Sequence, residues 1–403
     1  MKYIIILADG MADEPIAVFG NKTPLQAAHS PYMDLLAQKG RSGMLDTIPA
    51  GFSPGSEIAN LSVLGYDVPN VYEGRGALEA ASMGVDILPG EMAMRCNLVC
   101  INGDTLKNHS AGHISTGEAT ELIRFLNEKL GDETFRFFPG VSYRHLLKMK
   151  GGDKRLRCSP PHDHPEKPFL PLLIKPEDGS VAETANALNN LILASQEILK
   201  DHPVNKKRVA EGKDPANSIW PWSPGYRPQM LPMSEMFPIQ TGAVISAVDL
   251  IRGIGVYAGL EVIHVDGATG LYDTNYEGKA AAAMKALKEK DFVYLHIEAP
   301  DEAGHEGDAE LKKQTIEDID SRVLKTIYEE TQKMEDPVTI ALLPDHPTPC
   351  AIRTHTRENV PFVIYHRGIQ ADDVKIYDEF SAKNGGFGLL HGNEFIKLVF
   401  SQK

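Results

Sequence analysis

Short, nearly continuous apolar runs constrain the fold of this chain more than any other feature of its sequence. They lie at residues 3–8, 261–265, 292–299, 338–344 and 362–366. Such runs are typical of strands buried on both faces, as in a parallel sheet that is covered by helices. Within a helix predicted over 309–328, the apolar positions fall on one stripe, formed by Ile316, Ile319, Val323 and Ile327. The sequence therefore predicts an α/β fold with a mostly parallel sheet flanked by helices.

The middle of the chain follows a different pattern, in which predicted strands and helices do not alternate regularly. Strands are expected at 95–102, 135–140 and 142–151, and helices at 113–131 and 181–200. Ser115 and Glu118 have the spacing of a capping box at the start of the first of these helices. We expect a smaller α+β domain over 89–235, inserted into an α/β domain made of 1–88 and 236–403.

The charge balance excludes several kinds of partner. The net charge is −14, with 55 acidic residues against 41 Lys and Arg. An excess of negative charge disfavours binding to nucleic acid or to an anionic membrane surface, because both are polyanions. A local basic pocket for a small anion is compatible with it. We therefore expect a small metabolite as the partner, and the oligomeric state stays open.

The cysteines and the apolar segments indicate a soluble, cytoplasmic protein. The four cysteines, Cys96, Cys100, Cys158 and Cys350, lack the spacing of a metal knuckle, and in a chain of this length we expect reduced thiols. The N-terminal stretch MKYIIILADG is too short for a signal peptide and is predicted to be a core strand. No apolar run approaches the roughly 18 residues that a membrane-spanning helix needs.

Residue types that bind metals follow four of the apolar or strand-flanking segments. They are Asp9, then Asp301 and His305, then Asp345 and His346, and finally His355. Ligands of open α/β sheets gather beyond the carboxyl ends of the strands, so these side chains are predicted to converge. Three carboxylates and three imidazoles suit two divalent ions such as Mn²⁺ or Zn²⁺ better than a closed cysteine site. Taken singly, an Asp after a strand is more often a helix cap or turn residue.

Ser56 is the candidate nucleophile. It follows Pro54 and Gly55 and precedes an amphipathic run, which predicts a position at or near a helix N-terminus. Backbone N–H groups and the helix dipole favour an incoming phosphate there, and a metal-bound hydroxyl becomes a strong nucleophile. The simpler alternative is that Ser56 is only the N-cap of that helix.

A family resemblance covers nearly the whole chain, in order. It is carried by the segments ILADGM, TPLQAAHSPYMDLLAQKG, PGSEIANLSVLGYD, GRGALEAASMG, PGVSYRHLL, PPHD, GATGLYDTNYEGKA, HIEAPDEAGHEGD and DHPTP with the later THT. These resemble the cofactor-independent phosphoglycerate mutases of the archaeal type, in the alkaline phosphatase superfamily. The resemblance implies an alkaline-phosphatase-like sheet with an inserted cap domain. It also implies two divalent metal ions, usually Mn²⁺, with Zn²⁺ or Mg²⁺ as alternatives.

The resemblance further implies an assignment of the site residues in the α/β domain. One ion would be held by Asp9, Ser56, Asp345 and His346, and the other by Asp301, His305 and His355. Ser56 would take the phosphate of 3-phosphoglycerate as phosphoserine and return it to the other hydroxyl, which gives 2-phosphoglycerate without 2,3-bisphosphoglycerate. Glu57, Asn60 and Glu298 would orient the ligands.

The residues expected to bind substrate come mostly from the inserted domain. Arg144 is expected to bind the carboxylate bidentately, and His145 or Asp163 to carry the proton between hydroxyls. His162 is a further candidate, and Arg75 and Lys279 are expected to contact phosphate. Each of these has the alternative of a surface or structural residue.

Two stretches depart from the family pattern and leave other activities open. His113 stands where many relatives carry Arg, and residues 220–225 read WPWSPG where relatives have a WLWGQG-like segment. Loss of a guanidinium group would weaken the preference of the protein for glycerate, a substrate with a carboxylate. The alternatives are therefore a phosphotransferase that acts as a homoserine kinase, a metal-dependent phosphatase, or a binding protein without activity.

Overall fold

The computed structural model describes residues 1–402. The chain forms two compact units: unit 1 contains residues 1–72 and the chain from 229 onward, and unit 2 contains residues 73–228. Along residues 1–402, no helix combines the length and the apolar character that crossing a membrane requires.

The strands, in chain order, are β1 (Lys2–Ala8), β2 (Arg41–Asp46), β3 (Glu91–Asn102), β4 (Thr105–Asn108), β5 (Phe135–Phe138), β6 (Arg144–Lys150), β7 (Leu156–Arg157), β8 (Lys167–Pro168), β9 (Lys175–Pro176), β10 (Ser218–Gly225), β11 (Gly242–Ile245), β12 (Glu261–Val262), β13 (Phe292–Ile297), β14 (Val338–Leu343), β15 (Val360–Tyr365) and β16 (Gly388–His391). The helices are α1 (Pro24–Ala27), α2 (Pro31–Lys39), α3 (Ser56–Val63), α4 (Val68–Val71), α5 (Arg75–Ser82), α6 (Thr116–Leu130), α7 (Ala182–Leu199), α8 (Pro203–Ala210), α9 (Met233–Met236), α10 (Asp249–Tyr257), α11 (Tyr276–Glu289), α12 (Ala299–Glu306), α13 (Ala309–Asp318), α14 (Lys325–Thr331) and α15 (Glu394–Ser401).

Unit 1 is built on an eight-stranded sheet in the order β12-β11-β13-β1-β14-β15-β2-β16. The neighbours from β12 to β14 are parallel, so the predicted α/β fold with a mostly parallel sheet is confirmed. Ile4 of β1 lies opposite Val293 of β13 on one side and Ile340 of β14 on the other. Because β1, β13 and β14 run in the same direction in close register, their carboxyl ends meet at one edge of the sheet.

The core of unit 1 explains why these runs are apolar throughout. Residues 4–8 of β1 are completely buried, since helices cover both faces of the sheet. The predicted stripe is also confirmed, because its members are completely buried: Ile316, Ile319, Val323 and Ile327. The helix that carries it is interrupted by a π-helical segment, Ile319–Leu324, between α13 and α14.

Some predictions about this sheet are wrong in detail. The run at 261–265 forms a strand only over Glu261–Val262, and β15, expected from the run at 362–366, pairs antiparallel with both β14 and β2. Strands β2, β11 and β16 were not predicted from the sequence. These strands are short or contain glycine and polar residues, so they lack a continuous apolar run.

Unit 2 has its own sheet, in the order β5-β6-β3-β4-β8, with β10 also pairing with β3. Helices α6 and α7 cover it, and the Ser115–Glu118 capping box is present at the start of α6 as predicted. The expected mixture of strands and helices in the middle of the chain is therefore confirmed. The analysis missed β10, which pairs antiparallel with β3 and contains Pro221 and Pro224, residues that usually argue against a strand.

The units divide after residues 72 and 228, whereas the sequence analysis placed the domain boundaries after 88 and 235. The difference at the first boundary comes from α5, because Ala77 and Ala80 of this helix share a core with Ala93 and Leu146 of the unit 2 sheet. That unit 1 is a metal-binding domain and unit 2 a substrate-binding cap stays a prediction.

A buried ammonium group ties three segments of unit 1 together. Lys312 of α13 is completely buried, and its Nζ donates to Asp13 Oδ2 at 2.9 Å, to the Ala12 carbonyl at 3.0 Å and to the Thr348 carbonyl at 2.9 Å. Asp13 Oδ2 also accepts from the backbone N of Cys350 at 3.1 Å. The loops that follow β1 and β14 are thus joined to one another through a helix.

We expect Lys312→Met to lower the free energy of unfolding of unit 1 by about 3–5 kcal/mol, because it leaves the Asp13 carboxylate buried without its ammonium partner. Urea unfolding followed by circular dichroism measures this. The matched control is Lys313→Met, since Lys313 forms a surface ion pair with Glu310 at 2.9 Å and a cation–π contact with Phe19, and its loss is expected to change stability by less than about 1 kcal/mol. Equal effects of the two substitutions would contradict the role assigned to the buried ammonium.

Candidate active site

Three neighbouring strand ends bring acidic side chains to one edge of the unit 1 sheet. Asp9 directly follows β1, and Asp345 lies two residues beyond β14. Asp301 lies in the first turn of α12, the helix that begins two residues after β13. Each of these three segments follows a strand that is buried on both faces. Because the strands are parallel and in close register, the three segments begin at the same edge of the sheet. The predicted convergence is present.

The first group of possible metal-binding atoms contains Asp9, Asp345 and His346, whose ligand atoms lie within 4.8 Å of one another. Asp345 Oδ1 accepts from the backbone N of Gly10 at 3.1 Å and of His346 at 3.0 Å, and its Oδ2 accepts from Asn60 Nδ2 at 2.9 Å. Asp9 Oδ1 is buried, and none of the described residues donates a hydrogen bond to it.

The second group contains Asp301, His346 and His355, again with ligand atoms within 4.8 Å of one another. His305 adjoins it, because its Nε2 lies 3.2 Å from Asp301 Oδ2 and 3.0 Å from His355 Nε2. The structure thus brings together all the residues predicted to bind metal. It differs from the prediction in one respect: His346 is within reach of both groups rather than of one.

Ser56 lies beside the first group. Its Oγ is 3.2 Å from His346 Nε2, and it is the first residue of α3. The N-cap position is occupied by Gly55, so the alternative that Ser56 is only the N-cap of this helix is wrong. One turn later, Asn60 Nδ2 donates to the Ser56 carbonyl at 2.8 Å, which fixes the start of the helix.

The electrostatic environment of the clustered carboxylates favours a bound positive charge. Burial, together with the charges of Asp345 and Asp301, raises the pKa of Asp9 well above its ordinary value. The hydrogen bond to Asp301 raises the pKa of His305 to about 9. Crowded carboxylates with an unpartnered buried oxygen, next to imidazoles and a hydroxyl, form a donor set that fits two divalent cations.

Lys279, predicted to contact phosphate, also lies in unit 1. It is buried in α11, where its Nζ donates to the Thr269 carbonyl at 3.4 Å. Burial lowers the pKa of Lys279 to about 8, and the charge of Glu298 opposes that shift. Glu298 is the N-cap residue of α12, the helix that carries Asp301 and His305.

The remaining predicted residues lie in unit 2, where several of them surround Arg95. Burial lowers the pKa of Arg95, the charge of Glu79, whose Oε1 lies 2.8 Å from Arg95 Nη1, opposes that shift, and the nearby charges of Arg144 and Arg75 act with burial. His162 is exposed, and its ring lies 5.4 Å from that of Trp222, over which the Arg95 guanidinium is placed at 5.2 Å. These cationic side chains form a group that suits an anionic ligand.

The two candidates for a proton carrier differ in accessibility. His145 is a buried residue of β6 whose Nδ1 accepts from the backbone N of Gly140 at 3.0 Å, and burial lowers its pKa to about 3. Asp163 is exposed, with its Oδ1 3.6 Å from His162 Nε2. Asp163 is therefore the more accessible of the two, and the role of each stays a prediction.

Several polar residues that lie inside apolar strands were not predicted from the sequence. They are Arg95 in β3, and Tyr294 and His296 in β13. Nor was Thr348, whose Oγ1 donates to Asp301 Oδ1. A charged or polar side chain within a buried run was the available signal, since such groups need a partner that the local sequence does not supply.

Comparisons with known proteins identify relatives of the chain. The model of the 2,3-bisphosphoglycerate-independent phosphoglycerate mutase family matches residues 37–205. A 2,3-bisphosphoglycerate-independent phosphoglycerate mutase of Methanosarcina mazei is 49% identical over 402 residues, 99% of each chain. A probable enzyme of the same name from Geobacter sulfurreducens is 48% identical over the full length of both chains.

Two solved structures resemble the whole chain. The PH0037 protein of Pyrococcus horikoshii superimposes with a TM-score of 0.83 at 30% identity, covering 100% of this chain and 98% of that one. The cofactor-independent phosphoglycerate mutase of Thermoplasma acidophilum does so with a TM-score of 0.69 at 30% identity, covering 99% of both.

Gly10 permits the close approach of the Asp9 and Asp301 segments. Its φ is +61°, and a Cβ at this position would lie 2.5 Å from Asp301 Oδ1 and 2.7 Å from Asp301 Cα. Gly20 has a similar φ of +66°, but a Cβ there would meet nothing within 4 Å. The two glycines therefore share the backbone conformation and differ in the space around them.

We expect Gly10→Ala to weaken Mn²⁺ binding by at least about 10-fold, because the Cβ displaces Asp301 from its place beside His346 and His355. Gly20→Ala serves as the control, since both substitutions carry the same backbone cost of about 1–2 kcal/mol. Isothermal titration calorimetry of the chelator-treated protein measures the affinity. Unchanged Mn²⁺ affinity in Gly10→Ala, or an equal loss in Gly20→Ala, would contradict the close-approach argument.

Proposed function

The chain belongs to the 2,3-bisphosphoglycerate-independent phosphoglycerate mutases, and from this premise we propose that it interconverts 3-phosphoglycerate and 2-phosphoglycerate through a phosphoserine on Ser56. Membership of this family makes the protein an isomerase. We place its reaction in glycolysis and gluconeogenesis, in the cytoplasm, with a small phosphorylated metabolite as its partner.

The observation that carries the proposal is the position of the Ser56 hydroxyl, 3.2 Å from His346 Nε2 at the edge of the clustered carboxylates. We propose that Asp9, Ser56, Asp345 and His346 hold one divalent cation and that Asp301, His305 and His355 hold the other. Mn²⁺ is the proposed metal, with Zn²⁺ and Mg²⁺ as the alternatives to compare. When bound, such ions favour the deprotonated hydroxyl and neutralise charge on a transferring phosphoryl group.

The protein's own residues then carry the transfer. Ser56 Oγ loses its proton and attacks the phosphorus of 3-phosphoglycerate, the bond from phosphorus to the C3 oxygen breaks, and that oxygen takes up a proton. In the second step the C2 hydroxyl loses a proton and attacks the phosphoserine, and Ser56 Oγ leaves and is reprotonated. The N-terminus of α3 supports the phosphate, because the helix dipole favours negative charge there.

The cationic group of unit 2 supports recognition of an anionic metabolite. We propose that Arg144 binds the glycerate carboxylate and that Arg75 and His162 bind its remaining oxygens, with Lys279 of unit 1 on the phosphate. Asp163 or His145 is proposed to carry the proton between hydroxyls. We propose that unit 2 is the substrate-binding domain and unit 1 the metal-binding domain.

The test of the function is an assay without bisphosphoglycerate. Purified protein with Mn²⁺ and 3-phosphoglycerate, coupled to enolase, is expected to form phosphoenolpyruvate, to lose activity in EDTA and to recover it when Mn²⁺ is restored. Full activity after exhaustive chelation would contradict the metal proposal. Absence of turnover together with ATP-dependent phosphorylation of homoserine would identify a homoserine kinase in place of the mutase. Release of free phosphate instead of 2-phosphoglycerate would identify a phosphatase.

We expect Ser56→Ala to abolish both the phosphoenzyme and turnover, with a loss of at least about 10³-fold in kcat, because the residue that stores the phosphate is gone. Ser62→Ala is the matched control, since Ser62 is a buried serine of the same helix whose hydroxyl has no hydrogen-bond partner among the described residues. Acid-quenched protein incubated with labelled substrate reports the phosphoserine. A Ser56→Ala variant that isomerises substrate near the wild-type rate would overturn the covalent scheme.

A further inference from the structure

Strand β13 places two polar side chains in the buried core next to the candidate metal-binding carboxylates. Tyr294 and His296 are completely buried polar residues, whereas their strand neighbours Val293, Leu295 and Ile297 are apolar. They are two residues apart, so both point to the same face of the sheet. Buried polar groups are costly unless they are hydrogen-bonded, so the partners of these two groups indicate their purpose.

His296 connects to Asp9. Its Nε2 lies 2.8 Å from Asp9 Oδ2, and its Nδ1 lies 3.1 Å from Ser246 Oγ. The Ser246 hydroxyl oxygen accepts from the backbone N of Val248 at 3.0 Å, which leaves its hydrogen to donate to Nδ1. An ionised Asp9 Oδ2 can only accept, which assigns the ring proton to Nε2 as its donor and leaves Nδ1 to accept from the Ser246 hydroxyl. The other oxygen, Asp9 Oδ1, receives no hydrogen bond from the described chain and is free for a cation.

Tyr294 connects to Asp345 through one intermediate. Its hydroxyl donates to Asn60 Oδ1 at 2.6 Å, and Asn60 Nδ2 donates to Asp345 Oδ2 at 2.9 Å and to the Ser56 carbonyl at 2.8 Å. The flipped amide would turn its oxygen towards two acceptors, Asp345 Oδ2 and the Ser56 carbonyl, so these fix its orientation, and the Tyr294 hydroxyl holds the amide oxygen from the other side. The amide nitrogen is thereby directed to Asp345 and to the start of the helix that carries Ser56.

We propose that Tyr294 and His296 are positioning residues that orient the carboxylates of Asp345 and Asp9 for cation binding. The inference rests on the proposed metal site. In each case a hydrogen bond restricts the rotation of a side chain. His296 restricts the Asp9 carboxylate directly, and Tyr294 restricts the Asn60 amide that donates to Asp345. Groups that orient metal ligands in this way typically change affinity by about 10–100-fold when they are removed.

The competing explanation is that these hydrogen bonds only stabilise the sheet. The two explanations differ in what a substitution changes. A structural role lowers the stability of the metal-free protein and leaves the cation affinity of the folded protein unchanged. A positioning role lowers the affinity itself, by an amount that the stability of the metal-free protein does not determine.

The experiment measures Mn²⁺ binding to chelator-treated protein by calorimetry, and the melting temperature of the same metal-free samples. Tyr294→Phe and His296→Leu are each expected to weaken Mn²⁺ binding by about 10–100-fold. His296→Gln is expected to retain more affinity than His296→Leu, because its amide can still donate to Asp9. Tyr276→Phe is the control: it removes another buried tyrosine hydroxyl of unit 1, one that donates to the Tyr272 carbonyl at 3.2 Å.

A double-mutant cycle tests the path through Asn60. If Tyr294 acts on Asp345 through Asn60, the affinity loss of Asn60→Ala combined with Tyr294→Phe is expected to be close to that of Asn60→Ala alone. Should His296→Leu fail to fold, Ser246→Ala probes the same hydrogen-bonded path one step farther out and is expected to give a smaller loss in the same direction.

The outcomes separate this inference from the function on which it rests. Wild-type protein that binds no divalent cation would overturn the metal proposal and this inference with it. Wild-type protein that binds Mn²⁺, together with Tyr294→Phe and His296→Leu variants that bind it as tightly, would overturn the positioning role alone. Additive losses in the cycle would overturn the path through Asn60.

Discussion

The meeting of three buried carboxylates at the ends of β1, β13 and β14 is the constraint on which the rest of unit 1 depends. Asp9, Asp301 and Asp345 are at most 4% exposed, and like charges at such separations in a poorly hydrated place repel one another strongly. Although burial acts to raise the pKa of Asp301, hydrogen bonds from His305 and His355 hold it well below its ordinary value. The repulsion among these carboxylates must be compensated by positive charge in the folded protein. The same requirement suits them to binding cations.

Holding the strand ends against that repulsion requires a rigid surround, which the loops next to the carboxylates provide. Lys312 joins the Ala12–Asp13 segment to the Thr348 carbonyl, and Gly10 allows the Asp9 segment to lie against Asp301. Thr348 in turn donates to Asp301 Oδ1. Stability and chemistry therefore depend on the same two loops, because the contacts that fix them are also those that fix the carboxylates.

The sequence revealed the candidate ligands because each follows a segment with an unmistakable pattern. An apolar run ending in Asp9 or in Asp345–His346 predicts both a buried strand and a polar strand end, and parallel strands bring such ends together. The supporting contacts could not be predicted in this way. His296 looks like one polar residue in an apolar run, and its partner Asp9 is 287 positions away. The pairing exists only once β13 lies beside β1.

The same reasoning explains what was missed in unit 2. Pro221 and Pro224 argue against a strand, yet β10 pairs with β3 over Ser218–Gly225 with an irregularity between Trp222 and Pro224. Arg95 lies in β3 opposite Trp222 of β10, so its cation–π contact depends on a strand pairing that local patterns argued against. Long-range pairing decides such contacts, and propensity describes only the local preference.

The two units divide the proposed work according to the physics of each step. Transfer of a phosphoryl group needs dense, oriented negative charge and cations, and the residues suited to that lie in unit 1. Choice of the acceptor needs donors that match its carboxylate and hydroxyls, and the arginines and histidines around Arg95 lie in unit 2. His113 lies near this second set, since its charge and that of Arg95 both act on His109. An imidazole in place of a guanidinium there alters the donors offered to an acceptor and leaves the carboxylates of unit 1 untouched. On the proposed division of roles, a change confined to unit 2 would alter the acceptor and leave the proposed transfer site of unit 1 unchanged.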